Sequence, residues 1–418
     1  MLTGKVTNID RFIVQVPTID RVRLDMERAG IHTWGTLEVI RVDTDSGHVG
    51  WGETVVEYSW GSVKDHDRVL GRSPFEVMWD DSLGPGLQIA LFDVAGKLAE
   101  VPAYRLIGNK CRDWCPISFW DHDMSPERYE AEAKVAVELG YTSMKIKTRP
   151  WFDVPDTIRR ISDATPDHFR IDADWNEFLN NASNAIPLLN ELESTFPKIK
   201  IFEDPIARND ASGNRYLRTQ IKSALAHHFG YSGFREGLEL GGVCDGWVIT
   251  GGVSQTVREA NASALANMPF FLQLVGSGMT TAMALHLGAV LTHCQWPAIT
   301  CYELFEHPII EERLPVVGGH AQVPEGPGLG VKPDEDALEK YRVEKPDHGL
   351  PRRLIKVIRR EGVNVYFANT QQKWTFFHGG NLPVDEWGGR TELLDDDGSS
   401  EFDKLFQRAD ESPVLTEE

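Results

Sequence analysis

From residue 116 onward the sequence repeats one plan at a nearly constant interval: a short β-branched or aromatic run, a polar loop, then a helical pattern. The runs are PISFW (116–120), SMKIK (143–147), FRIDAD (169–174), IKIFE (199–203), SALAHH (223–228), GWVIT (246–250), FFLQL (270–274) and AITCYE (298–303). Their last residues lie 27, 27, 29, 25, 22, 24 and 29 positions apart, which suits one strand and one helix per repeat. Such alternation implies parallel strands joined by crossover helices, and eight units favour closure into a (β/α)8 TIM-type barrel over an open doubly wound sheet. The helix after the first run is marked by Ser125 as N-cap, Pro126 at the first helical position and Gly140 as a stop. Val135, Leu139 and neighbouring alanines are expected to form its apolar side.

The flanks read differently. Residues 1–112 hold a meander of strand-like pieces (RFIVQV, TLEVIRVDT, GHVGWGE) and a helical GLQIALFDVAGKLAEV, an α+β layer distinct from the barrel at 113–322. Residues 323–418 open on the turn-rich VPEGPGLGV and continue with a basic segment, RRLIKVIRR, expected as a helix, among short strand-like pieces. KWTFF (373–377) is apolar enough to require cover.

With 41% hydrophobic and 25% charged residues the 418-residue chain has ordinary globular composition, and its formal charge of −20 argues against nucleic acid or an anionic membrane as partner. The longest apolar stretch, Leu272 to Leu291, is broken by polar residues and glycines, so no membrane span is expected. No secretory signal is expected of MLTGKVTNIDRFIVQVP, and the five cysteines fit reduced thiols in a cytoplasmic protein.

The second run places Lys145 and Lys147 on one face of a strand, with Met144 and Ile146 on the other. The apolar pair suits the helices, which turns both lysines into the barrel. A buried ammonium costs several kcal/mol unless paired, so carboxylates are expected nearby. The next strand offers Asp172 and Asp174 on one face, and the one after ends in Glu203. Carboxylates converging at one mouth invite a divalent metal, and a lysine beside it would have its pKa lowered toward the range of a base. The alternative is a buried ion-pair network without chemistry.

Lys145-x-Lys147, Asp174-Trp-Asn176 and Glu203-Asp-Pro205 resemble the mandelate racemase and muconate lactonising branch of the enolase superfamily. So do Gly50-Trp-Gly-Glu53, ALFDVAGKLAEVPAYRLIG, Gly251-Gly252 and VPEGPGLGV, and the resemblance spans about residues 1 to 335. It implies that residues 1–112 with part of the C-terminal region cap the barrel. It also implies removal of the proton next to a carboxylate, giving an enediolate held on Mg2+, with Lys147 as base and Lys145 supporting it or the substrate carboxylate. Asp174 and Glu203 would be metal ligands.

The pattern breaks at the fifth strand, where the family has an acidic third ligand. Here stand His227 and His228. Alternation turns His228 inward with Ala224 and Ala226, making it the better candidate and His227 the alternative. Imidazole suits Mn2+, Fe2+ or Zn2+ better than Mg2+. The sixth and seventh strands end in Thr250 and Ser277 regions without the family's second base. Asp245 is expected as a loop residue and His286 as a packed one. Asn176 and Glu303 are candidates for substrate binding. The expected activity is dehydration of a hydroxy or sugar acid by a homo-oligomeric enzyme. Cycloisomerisation, epimerisation, or a non-catalytic carboxylate-binding barrel are the alternatives. The loops expected to choose the substrate are 16–32 and 54–62.

Overall fold

The computed structural model describes residues 4–58, 66–230, 242–359, 362–381 and 388–417; residues 59–62 of the second expected substrate loop lie outside them. The chain divides into two compact units, one of Met1–Asp20, Thr33–Trp120 and Trp247–Asp347, the other of Arg21–His32, Asp121–Gly246 and His348–Glu418. Among the described residues no helix is long and apolar enough to cross a membrane.

In the first unit the expected meander is an antiparallel sheet of Val6–Gln15, Thr36–Thr44 and Val49–Val55, with Arg342–Val343 added at the free edge of the first strand. The helix Pro85–Leu98 lies against it so closely that a Cβ on Gly50 would stand 2.2 Å from Ala90 O, and one on Gly52 2.1 Å from Gly86 O. That contact is why the Gly50-Trp-Gly-Glu53 stretch needs its glycines. Between them Trp51 donates its backbone N–H to Asp93 Oδ2 (2.8 Å), and Asp93 Oδ1 accepts from Leu329 N (2.8 Å), tying VPEGPGLGV to the same helix. Glu53 is buried and accepts from Thr280 N (2.9 Å) at the start of the helix Gly278–Val290. The sixth and seventh strands are present as Gly246–Ile249 and Phe270–Leu272, paired in parallel. The eighth expected strand is reduced to bridges at Ala298 and Ile299, and Glu303 sits in a 3-10 turn, Tyr302–Leu304. Its run is interrupted by Cys301, whose φ of 61° is incompatible with an extended strand.

The second unit carries four parallel strands in sequence order, Ser143–Lys147, Arg170–Asp174, Ile199–Glu203 and Ala224–His228. The helices Val154–Ala164, Ala182–Thr195 and Ala211–Gln220 connect them. Helix Pro126–Glu138 starts and stops as expected, with Gly140 at φ 88°, but its buried side is Tyr129, Ala133 and Ala136. Leu139 is 43% exposed, because the chain has already left the helix there.

Residues beyond 348 form an antiparallel sheet ordered Arg390–Asp395, Arg353–Ile358, Val363–Phe367, Val414–Glu417, with helices Thr370–His378 and Ser400–Glu411. The expected helix in RRLIKVIRR is thus a central strand. Ile355 and Val357 pack on one cluster and Leu354 on another, so both faces are covered. A strand buried on both sides loses its alternation and reads as a continuous apolar run, and β-branched residues then decide for strand. KWTFF is covered: Phe377 joins Trp151, Phe152 and Phe178 in one core cluster.

Burial pushes the Glu53 carboxyl up to about 7, against backbone donors at Thr280, Ser277 and Met279 that favour its charge. Its proton is therefore held more tightly folded than unfolded, so its contribution is fully present below the ordinary carboxylate range and is lost as pH rises through about 7. Urea unfolding should show wild-type stability falling between pH 5 and 8 by up to about 3 kcal/mol from this group, and Glu53→Gln should flatten that fall. Parallel pH profiles for the two proteins would refute the assignment.

Candidate active site

The register of the parallel strands builds the site. Lys147 pairs with Asp174 and Asp174 with Glu203, so one row across three strands carries ammonium, carboxylate and carboxylate. Met144 and Ile146, on the opposite face of their strand, are fully buried. Lys145 Nζ lies 2.5 Å from Glu203 Oε2 and 3.2 Å from Asp174 Oδ2, all three side chains inaccessible to water. Lys147 Nζ contacts Asp174 Oδ2 and donates to Asn176 Oδ1 (3.1 Å), while Asp174 Oδ1 accepts from Asn176 N (2.9 Å).

The two lysines diverge in proton affinity. Burial disfavours the charge on Lys145, but Glu203, Asp174 and Asp172 outweigh it and raise its pKa. For Lys147 burial prevails: despite Asp174, desolvation with the neighbouring Lys145 and Arg149 charges lowers its pKa. Asp174, opposed by burial, is held well below the carboxylate range by Lys147 and Lys145. Glu203 is raised by burial and by Asp174, and Asp172 well raised by burial and by Glu203.

His228 and His227 both reach Asp204, the residue after the fourth of the eight expected strands. His228 Nδ1 lies 2.7 Å from Asp204 Oδ2 and 3.8 Å from Glu203 Oε1. His227 is buried with Nδ1 at 2.7 Å from Asp204 Oδ1 and Nε2 at 3.0 Å from Asn214 Oδ1. The Asn214 amide nitrogen donates to Ala207 O and Asp210 O, so its oxygen is fixed toward His227 and both ring nitrogens face acceptors. Burial opposes ionisation of Asp204, yet His228, His227 and Arg208 hold its pKa well below the usual range.

Glu203, Asp204 and His228 each offer a ligand atom, all within 4.8 Å of one another. Glu203 Oε1 is buried and, among the described residues, accepts no hydrogen bond. An orphaned carboxylate oxygen beside a second carboxylate and an imidazole fits a divalent cation.

Within the second unit the structure thus brings together Lys145, Lys147, Asp174, Asn176, Glu203 and His228. Glu303 belongs to the first unit, where it pairs with Arg313 Nη1 (2.8 Å). His286 is packed and donates to Leu329 O (3.0 Å), and Asp245 anchors Arg218 and Leu225 N, as expected of both. Sequence reasoning passed over Asp204 and Arg149. Arg149 is buried, donates to Asn176 Oδ1 (2.8 Å), and lies over the Trp151, Phe178 and Trp374 rings at 5.8, 5.3 and 4.8 Å. It stands two residues past the end of its strand, where alternation no longer fixes a face, so the sequence carries no local signal for it.

Residues 128–337, half of the chain, match the family described as Enolase C-terminal domain-like. The chain belongs to that family, and with it to the mandelate racemase and muconate lactonising group of the enolase superfamily, a group of enzymes. It is 25% identical over 362 residues to a D-xylonate dehydratase of Haloferax volcanii, covering 73% of this chain and 85% of that protein. It is 23% identical to an N-succinyl-L-Arg/Lys racemase of Bacillus cereus, over 77% and 96% of the two chains. The crystal structure of the muconate lactonizing enzyme of Pseudomonas fluorescens, with muconolactone, superposes at a TM-score of 0.67 with 21% identity, covering 81% of this chain and all of that one. The fold is therefore the capped (β/α)8 barrel.

If His228 is a ligand, His228→Ala should weaken divalent-ion affinity about tenfold or more, on the order of 1.4 kcal/mol, and His228→Glu should shift preference from Mn2+ toward Mg2+. Calorimetric titration of both ions reads this directly. Unchanged affinity in both variants would strike His228 from the ligand set.

Proposed function

We propose that this chain removes the α-proton of a small hydroxy carboxylate and dehydrates it, a sugar acid being the substrate class. The observation that carries the reading is the pairing of two lysines with one carboxylate row, Lys145 sealed against Glu203 and Asp174, Lys147 at the strand end with its side chain 10% accessible. In this arrangement Lys145 keeps its charge and faces anions, while Lys147 stands where the strand opens and gives up its proton more readily. Lys147 is the base and Lys145 the electrostatic partner.

A divalent cation would supply Lewis-acid stabilisation of the substrate carboxylate as charge builds on it. Glu203 and His228 would hold it, with Asp174, the ligand that the family resemblance implies, or Asp204, the carboxylate that the geometry adds. His227, both nitrogens engaged, is the weaker candidate. The presence of imidazole favours Mn2+, Fe2+ or Zn2+ beside the family's Mg2+. Asn176, its oxygen turned to Lys147 and Arg149, directs its amide N–H groups elsewhere, as a donor for a substrate hydroxyl. Loss of the α-proton and the β-hydroxyl yields an enol that becomes a 2-keto acid, with one water released.

Dehydration is favoured over racemisation because the sixth and seventh strands end near Thr250 and Ser277 with no second base. The division into a cap (1–112), a barrel (113–322) and a returning C-terminal segment (323–418) is the functional one on this reading. The relative named as a D-xylonate dehydratase supports the substrate class.

The test is a panel of acid sugars and other hydroxy acids in D2O, read by NMR and by 2-keto acid formation. A substrate should lose its α-proton from one face only, with exchange proceeding with retention, and Lys147→Ala should lower turnover at least about 1000-fold while the fold persists. Conversion of a pure stereoisomer into its α-epimer would overturn the one-base assignment.

A further inference from the structure

The loop that follows the Asp174 strand is held in an unfavourable conformation. Asn176, Glu177 and Asn180 have φ of 43°, 70° and 61°, left-handed values at three non-glycine positions within five residues. Such conformations cost of order 1 kcal/mol or more each and persist only when the surroundings hold them. On one side the loop is held by the next strand end: Trp175 N donates to Glu203 O (2.9 Å), Glu177 N to Asp204 O (2.7 Å) and Leu179 N to Pro205 O (3.0 Å). The other side is held by residues beyond 337, outside the segment that matches the family.

That second hold is the helix Thr370–His378. His378 Nε2 donates to Asn176 O (3.0 Å), and Asn180 Nδ2 donates back to His378 O (2.9 Å), so the two segments exchange hydrogen bonds at both ends of the strained stretch. Between those bonds the Phe178 ring lies 4.0 Å from the His378 ring and 5.0 Å from that of Trp374. Trp374 also faces the Arg149 guanidinium, which donates to Asn176 Oδ1. The helix is itself pinned at its other end, where buried Lys373 pairs with Asp123 Oδ2 (3.1 Å) and lies 4.3 Å from the Trp151 ring centroid.

We propose that the C-terminal extension is a working part of the site: His378, Trp374 and Asn180 are positioning residues that clasp the loop 175–180 and so fix Asp174 and Asn176. The link to the site is the Asn176 backbone, which accepts from His378 through its carbonyl and donates to Asp174 Oδ1 through its N–H. Releasing the carbonyl frees the same residue to rotate away from Asp174. The clasp stands on geometry alone; its consequence for metal affinity rests on the functional reading above.

The test compares wild type with His378→Ala, His378→Gln, Trp374→Ala and Asn180→Asp. The last keeps a side chain tolerant of left-handed backbone but removes the donor. Hydrogen exchange read by mass spectrometry should be about tenfold or more faster in peptides covering 175–181 for His378→Ala, Trp374→Ala and Asn180→Asp, with the strand 143–147 unchanged. His378→Gln, which retains a donor, should return exchange toward wild type. Mn2+ affinity, read by EPR, should fall several-fold in the same three variants and recover in His378→Gln. Exchange in 175–181 identical across all proteins would overturn the proposal, as would equal loss in His378→Ala and His378→Gln. The exchange comparison needs no metal, so a wild type that takes up no Mn2+ counts against the functional reading and leaves the clasp to be judged by exchange.

Discussion

The site rests on the contact of Lys145 with Glu203 and Asp174 inside a water-free row. A lone ammonium there would lose its charge, and lone carboxylates would take up protons. Lys145 and Asp174 hold each other ionised at a depth where neither charge would persist alone. Replacing one partner strands the others, which is why buried pairs of this kind are costly to break although they add little net stability over an apolar core. The row exists because the parallel register sets Lys147, Asp174 and Glu203 abreast, and that register follows from apolar residues such as Met144, Ile146 and Ala173 on the opposite face.

The charge row makes neighbouring groups differ. Lys145 lies deeper and touches two carboxylates; Lys147 touches one and shares its surroundings with Arg149. Identical side chains two residues apart thus have proton affinities shifted in opposite directions. Asp204 extends the contrast, held ionised by two imidazoles and a guanidinium beside a Glu203 that burial pushes the other way. A site composed of such pairs is tuned by position along a strand rather than by residue type.

Much of this was legible because strand alternation is a rigid rule. Lys145, Lys147, Asp174 and Glu203 all lie inside strands, where parity fixes the face, and parity also put His228 on the Glu203 side. The rule fails one residue past a strand end. Asp204 has a φ of 43°, so no parity argument reaches it, and its convergence with both histidines is a tertiary fact. RLIKVI reads as a helix for the opposite reason: its apolar residues join clusters on both faces, so they fall on both parities and give no clean period of two. Arg149 likewise stands past the end of its strand, and its aromatic neighbour Trp374 is more than two hundred residues away, beyond any local pattern.

The unit that holds the site is assembled from Arg21–His32, Asp121–Gly246 and His348–Glu418. A ribosome delivers these pieces in that order, the last long after the first. The four parallel strands can pair as soon as residue 228 has emerged, but the helix that clasps the loop after Asp174 arrives only with residues 370–378. During that interval Trp151 and Phe178 lack their cover, and closing the unit requires contacts between its first and last segments, the kind of long-range pairing that slows folding and leaves apolar surface exposed. Maturation of the site therefore waits on residues 348–417, and a product lacking them would carry the whole charge row without its closure.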